Sequence, residues 1–137
     1  MKYIAEHGNS FDKIALRCPA VNMYQSMAER IVKPEEQKAL ARNKPIEVGF
    51  DRKVSITRSF LEELQAADIT QWDFRPLAED ILIIHGTKDE IVPYAAVEAF
   101  AEKNNIRFVP VENADHRFGD PLKMDVVIKH ITELFGM

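Results

Sequence analysis

The feature that most constrains this chain is the unbroken apolar run Ile81-Leu82-Ile83-Ile84. A strand with one wet face alternates apolar and polar residues. A run without alternation needs cover on both faces, as in a parallel sheet with helices above and below. The residues downstream agree with that. A helix is expected from Pro93 to about Lys103, then the strand Ile106-Arg107-Phe108-Val109-Pro110-Val111, then a helix from Pro121 to about Phe135. Asp120 suits the N-cap of that last helix and Gly136 the position just past its end. Met124, Val127, Ile128, Ile131, Leu134 and Phe135 form one apolar face on it. Strand, helix, strand, helix with short links is a right-handed βαβα unit.

Upstream, residues 1–7 read as the end of a helix closed by Gly8-Asn9, and Ile14-Ala15-Leu16-Arg17-Cys18 as a short buried strand stopped by Pro19. Residues 22–31 and 34–43 read as helices, the second opening on Pro34-Glu35-Glu36. Ile46-Glu47-Val48-Gly49-Phe50 and Val54-Ser55-Ile56-Thr57 alternate around Asp51-Arg52-Lys53, which predicts a hairpin over 46–57. Ser59-Phe60-Leu61-Glu62 fits a capping box opening a helix to about Ala67. The expected architecture is α/β. A single domain of 137 residues holds a three-stranded parallel sheet (14–18, 81–84, 106–111) flanked by helices. Residues 1–20 and 76–137 form its core, and 21–75 are an inserted, mostly helical cap carrying the hairpin.

Charge narrows the partners. Eighteen basic residues face 22 acidic ones, for a net charge of −4, and the acidic excess lies in residues 76–137. That balance argues against nucleic acid. No apolar run reaches the ~20 residues that span a bilayer, so no membrane partner is expected. The one cysteine, Cys18, cannot form an internal disulfide, which makes a reducing cytoplasm the expected compartment. Cys18 itself reads as packing on a buried strand rather than a nucleophile.

In open parallel sheets, reactive groups gather beyond the carboxyl ends of the strands. Two segments fall there: His85-Gly86-Thr87-Lys88-Asp89-Glu90-Ile91-Val92-Pro93, and Asn113-Ala114-Asp115-His116-Arg117-Phe118-Gly119. Because their strands are consecutive, Asp89 and His116 are expected to meet. A carboxylate beside an imidazole fixes its tautomer and makes a competent general base. His85 reads as a hydrogen-bonding residue at the strand end, and His7 and His130 have no supporting context. His85, Asp89, Asp115 and His116 offer no ligand pair spaced along one helix, so no metal is expected. Thr87-Lys88-Asp89-Glu90 faintly resembles a guanine-reading loop, but no phosphate-holding Gly-rich loop accompanies it, so no nucleotide cofactor is expected either.

The segment from His85 to Pro93 resembles the acid-bearing loop of α/β-hydrolases, and Asp115-His116-Arg117-Phe118 their histidine loop. The likeness is to the C-terminal half of the prolyl-oligopeptidase-like and dienelactone-hydrolase-like branch, which includes small serine esterases. It spans about residues 10–135. It implies that Asp89 is a triad acid, that His116 is its general base, and that 21–75 match the variable cap shaping the acyl or peptide pocket. The family's chain order is Ser, Asp, His, with serine in a Gly-x-Ser-x-Gly elbow. The four serines here, Ser10, Ser26, Ser55 and Ser59, lie in no such pattern. The expectation is therefore the C-terminal part of a serine hydrolase of carboxylic esters or peptides, inactive alone and completed by an N-terminal segment. The alternative is a non-catalytic binding or assembly module derived from a hydrolase. For these 137 residues by themselves, a homo-oligomer through an exposed edge of strand 14–18 is expected.

Overall fold

Strand β4, Ile81–Gly86, is buried along its whole length and lies between β1, Ile14–Arg17, and β5, Arg107–Val111, in a parallel sheet of order β1-β4-β5. Ile14 pairs with Ile81 and Arg17 with Ile84 on one side; Leu82 pairs with Arg107 and Gly86 with Val111 on the other. The computed structural model describes residues 1–49 and 52–137, which divide into two compact units, Met1–Val21 with Ile69–Met137, and Asn22–Asp68.

The pleat of β4 explains the larger unit. Successive side chains point to opposite faces. Ile81 and Ile83 join a cluster with Val97, Phe100 and Ala101 of helix α5, Tyr94–Lys103. Leu82 and Ile84 join a second cluster with Val111, Phe118 and Val127, the last from helix α6, Pro121–Phe135. Both faces are covered, as an apolar run without alternation requires. Helix α6 has the expected ends: the Asp120 side chain accepts from the Leu122 N–H, and Gly136 takes the left-handed conformation at φ 67°. A six-residue helix, α1, spans Lys2–His7 and is closed by Gly8.

Residues 69–75, expected to be part of the insertion, belong to this unit. Two 3₁₀ turns, Ile69–Gln71 and Arg75–Asp80, lead into β4, with Phe74 buried between them. The buried Asn104 side chain accepts from the Phe74 N–H at 2.7 Å and donates to the Phe100 carbonyl at 2.9 Å. One amide thus ties the segment before β4 to the end of α5.

The smaller unit holds helix α2, Met23–Ser26, a π-helical turn at Met27–Ile31, helix α3, Pro34–Ala41, the antiparallel strands β2, Ile46–Val48, and β3, Val54–Ile56, and helix α4, Arg58–Ala66. The continuous helix expected over 22–31 is thus α-helical only in its first part. The hairpin is present, although its turn residues 50 and 51 lie outside the described residues. The cap of α4 differs from expectation. Thr57, not Ser59, receives the Phe60 N–H, and Arg58 pairs with Glu62. Val32, Leu40, Ile46 and Ile56 form this unit's core. No helix among the described residues is long and apolar enough to cross a membrane.

Candidate active site

His85 and Gly86, expected just past the strand, are instead its last two residues, paired with Pro110 and Val111. Gly86 is required there by close approach: a Cβ would collide with the Ala114 backbone carbonyl. The two loops beyond the sheet are then stitched together. The Thr87 N–H donates to the Val111 carbonyl, the Lys88 N–H to the Ala114 carbonyl, and the Asn113 N–H to Thr87 Oγ1.

Within the first loop, Asp89 Oδ1 accepts the backbone N–H groups of Ile91 at 2.9 Å and Val92 at 2.8 Å. This fixes the carboxylate plane and aims Oδ2 at the second loop. There, His116 Nδ1–H donates to Oδ2 at 2.9 Å. The Asp89 side chain is fully buried, while that of His116 is 33% exposed. With Nδ1 occupied, Nε2 is the nitrogen left to accept a proton, and no hydrogen bond to it is seen among the described residues.

Beneath this pair lies His85, whose Nε2 is 3.3 Å from both Asp89 Oδ2 and the Val92 carbonyl. Both neighbours are acceptors, so the proton sits on Nε2; Nδ1 is buried with no described partner. Burial pushes His85 below its usual range, and the Asp89 charge and Val92 carbonyl only partly offset that. His85 is therefore a neutral donor to the Val92 carbonyl, with Asp89 Oδ2 3.3 Å away. For Asp89 itself, burial pushes the carboxyl up. The Val92 N–H, the His116 and Cys18 side chains and the Ile91 N–H together outweigh burial and hold it below the ordinary carboxylate range.

Cys18 lies one position past β1, its N–H still donating to the Ile84 carbonyl at 2.9 Å, but its φ of 46° is left-handed. That conformation is costly for a residue with a Cβ. As expected, the side chain packs in the core, beside Leu82, Ile84 and Phe118. Sequence reasoning did not foresee that it also borders the site. The Cys18 sulfur, an Asp89 oxygen and a His116 nitrogen all lie within 4.8 Å of one another. Burial pushes the thiol up to about 12, the Gly86 amide opposing and the Asp89 carboxylate adding to it, so the group is a neutral S–H donor and not a nucleophile. The one available signal was position: Cys18 ends a strand adjacent to β4.

The histidine loop is held from outside by Arg17, whose guanidinium donates to the Arg117 carbonyl at 3.0 Å and stands 5.6 Å over the Phe118 ring. Asp115, beside the base, turns away, its Oδ1 accepting the Gly119 N–H.

Several solved structures share this fold. A protein described as a hydrolase from Agrobacterium vitis S4 aligns at TM-score 0.67 and 20% identity, over 89% of this chain and 49% of its own. Est1E from Butyrivibrio proteoclasticus aligns at 0.63 and 19%, over 98% and 55%. The esterase domain of a Rhodothermus marinus protein aligns at 0.60 and 20%, over 92% and 51%. The chain thus spans about half the length of these neighbours, and its architecture is that of a partial α/β-hydrolase. At such identity the likeness is one of fold. No protein-family model matches the sequence, and neither does any curated protein.

Proposed function

We propose that this chain carries the acid and the general base of a serine hydrolase, Asp89 and His116, and works with a nucleophile that its own four serines do not provide. The observation that carries this reading is the 2.9 Å bond from His116 Nδ1–H to a fully buried, doubly anchored carboxylate. In the triad mechanism, such a bond leaves Nε2 free to take the proton of a serine hydroxyl as it attacks an acyl carbon. The carboxylate then stabilises the imidazolium, which returns the proton to the leaving group. The substrate class is a carboxylic ester or a peptide. The description of one fold neighbour as an esterase domain favours the ester. The setting we assign is a reducing cytoplasm, in keeping with one buried, free cysteine.

The test begins with the coding sequence upstream of the Met1 codon. The expected result is an open frame encoding Gly-x-Ser-x-Gly. The extended product should be labelled by a fluorophosphonate probe, with labelling lost in His116→Ala. The 137-residue chain alone should not react. An in-frame stop just upstream would return the chain to the non-catalytic alternative, and labelling of Ser10, Ser26, Ser55 or Ser59 would overturn the claim of an external nucleophile.

We propose in addition that two copies join along β1. This strand pairs with β4 on one side, and no described strand pairs its other edge. Free backbone donors and acceptors there are a template for a second strand. Sedimentation at micromolar concentration should give a dimer; a clean monomer would dispose of it.

A further inference from the structure

The Asp89 carboxylate accepts the His116 Nδ1–H at 2.9 Å, and the Cys18 sulfur lies close to both groups. Thiol, imidazole and carboxylate are together the donor set of a zinc-type centre. We infer that Cys18, Asp89 and His116 form a binding site for a divalent cation of the zinc class, which takes the place of the protons now shared among them. The donor atoms already lie within 4.8 Å of one another. Bonds of about 2.0–2.3 Å in a tetrahedral site place ligand atoms roughly 3.3–3.8 Å apart. The 2.9 Å contact between His116 and Asp89 needs to widen only slightly to reach that spacing.

Three further features suit the site. The neutral His85 ring stands 3.3 Å from the ligating carboxylate oxygen, an outer contact of the kind that orients metal ligands. A thiolate and a carboxylate balance the charge of a divalent ion inside a buried pocket. A thiolate and an imidazole also select zinc or cobalt over magnesium and calcium.

Proton accounting is simple. On binding, the Cys18 thiol loses its proton to water. The neutral His116 keeps one proton, which moves from Nδ1 to Nε2 as Nδ1 takes the metal. The consequence rests on the function proposed above: a His116 protonated at Nε2 cannot accept a hydroxyl proton, so the cation switches the acid–base pair off.

The site itself is tested without any activity. Because Cys18 is the chain's one cysteine, any thiolate-to-metal absorption reports this position. Titration with Co²⁺ should give a near-ultraviolet charge-transfer band and tetrahedral visible bands, with Zn²⁺ displacing the Co²⁺ and excess Mg²⁺ not. Cys18→Ala should abolish the charge-transfer band. His116→Ala, at a part-exposed position that tolerates change, should keep a weakened band and lower Co²⁺ affinity by more than about tenfold. A wild-type chain that gives no charge-transfer band would overturn the site. So would displacement by Mg²⁺, or an affinity unchanged in His116→Ala. Failure of fluorophosphonate labelling in the extended protein would instead count against the triad reading and leave the metal site standing.

Discussion

The acid loop, residues 87–93, and the histidine loop, residues 112–119, are joined through Lys88 and Ala114, Thr87 and Asn113, and Asp89 and His116, but are built in different ways. Asp89 is locked by its own neighbours: two backbone N–H groups on Oδ1, and His85 and Cys18 around the rest of the carboxylate. His116 has one side-chain anchor, Asp89 itself, and its loop is held chiefly through backbone atoms, by Lys88, Thr87 and Arg17. The loop also carries two left-handed residues, Asn113 at φ 58° and Phe118 at φ 55°. A buried, fixed carboxylate beside a part-exposed, singly anchored imidazole suits the acid–base pair proposed above. The carboxylate supplies a charge in a fixed place. The imidazole keeps an open nitrogen.

The contrast makes graded predictions. Gly86→Ala should have the largest effect, because its Cβ meets the Ala114 carbonyl and backbone cannot easily yield. We expect a loss of about 3 kcal/mol in urea unfolding, with both loops losing hydrogen-exchange protection together. Asp89→Asn keeps the shape and removes the charge. It should cost about 2 kcal/mol and release His116, while the Ile91 and Val92 amides stay largely protected, since an amide oxygen still accepts from them. Equal loss of protection in both loops would contradict the idea of a self-locked acid loop.

Acid should act on the two sides in sequence. His85 is depressed in the folded state, so the unfolded chain binds the extra proton as pH falls below the ordinary 6.5, and stability drops from there down to the folded value. Asp89 is also depressed, so its contribution is complete above the ordinary 3.8 and is lost as pH falls through its lower folded value. His85→Gln should flatten the decline that begins near 6.5 and leave the one below 3.8. An unchanged profile would show that His85 is not the acid-sensitive group.

Thr87→Ala removes the acceptor of the Asn113 N–H and should cost about 1 kcal/mol, loosening amide 113. The smallest effect is expected from Arg17→Ala, about 0.5–1 kcal/mol. It should raise hydrogen exchange around 115–118 and leave residues 89–92 untouched.

Much of this frame was legible in residue order. The run at 81–84 implied two covered faces, and the alternation of its side chains between the two core clusters is that implication realised. Asp120 and Gly136 marked the ends of α6 because capping is local chemistry. The meeting of Asp89 with His116 was legible for a different reason: consecutive parallel strands with short links bring their carboxyl ends side by side. The insertion was less legible. Its helical stretch at 27–31 widens into a π turn, and Thr57 outcompetes Ser59 as a cap, since either hydroxyl suits the local pattern and neighbouring packing chooses between them.

The sequence by itself determined the strand order available to a βαβα unit, the two loops and the acid and base they carry. These follow from periodicity, punctuation and chain direction, all of which act over a few residues. Only the tertiary structure decided that Cys18 borders the site and that His85 stands beside the carboxylate oxygen that accepts from His116. It also decided that Asn104 holds Phe74 from thirty residues away. Those contacts depend on one left-handed residue, on the register of β4 against its neighbours, and on which side chain reaches across a gap. No local pattern encodes such choices, because their free energy exists only once distant backbone segments have come together.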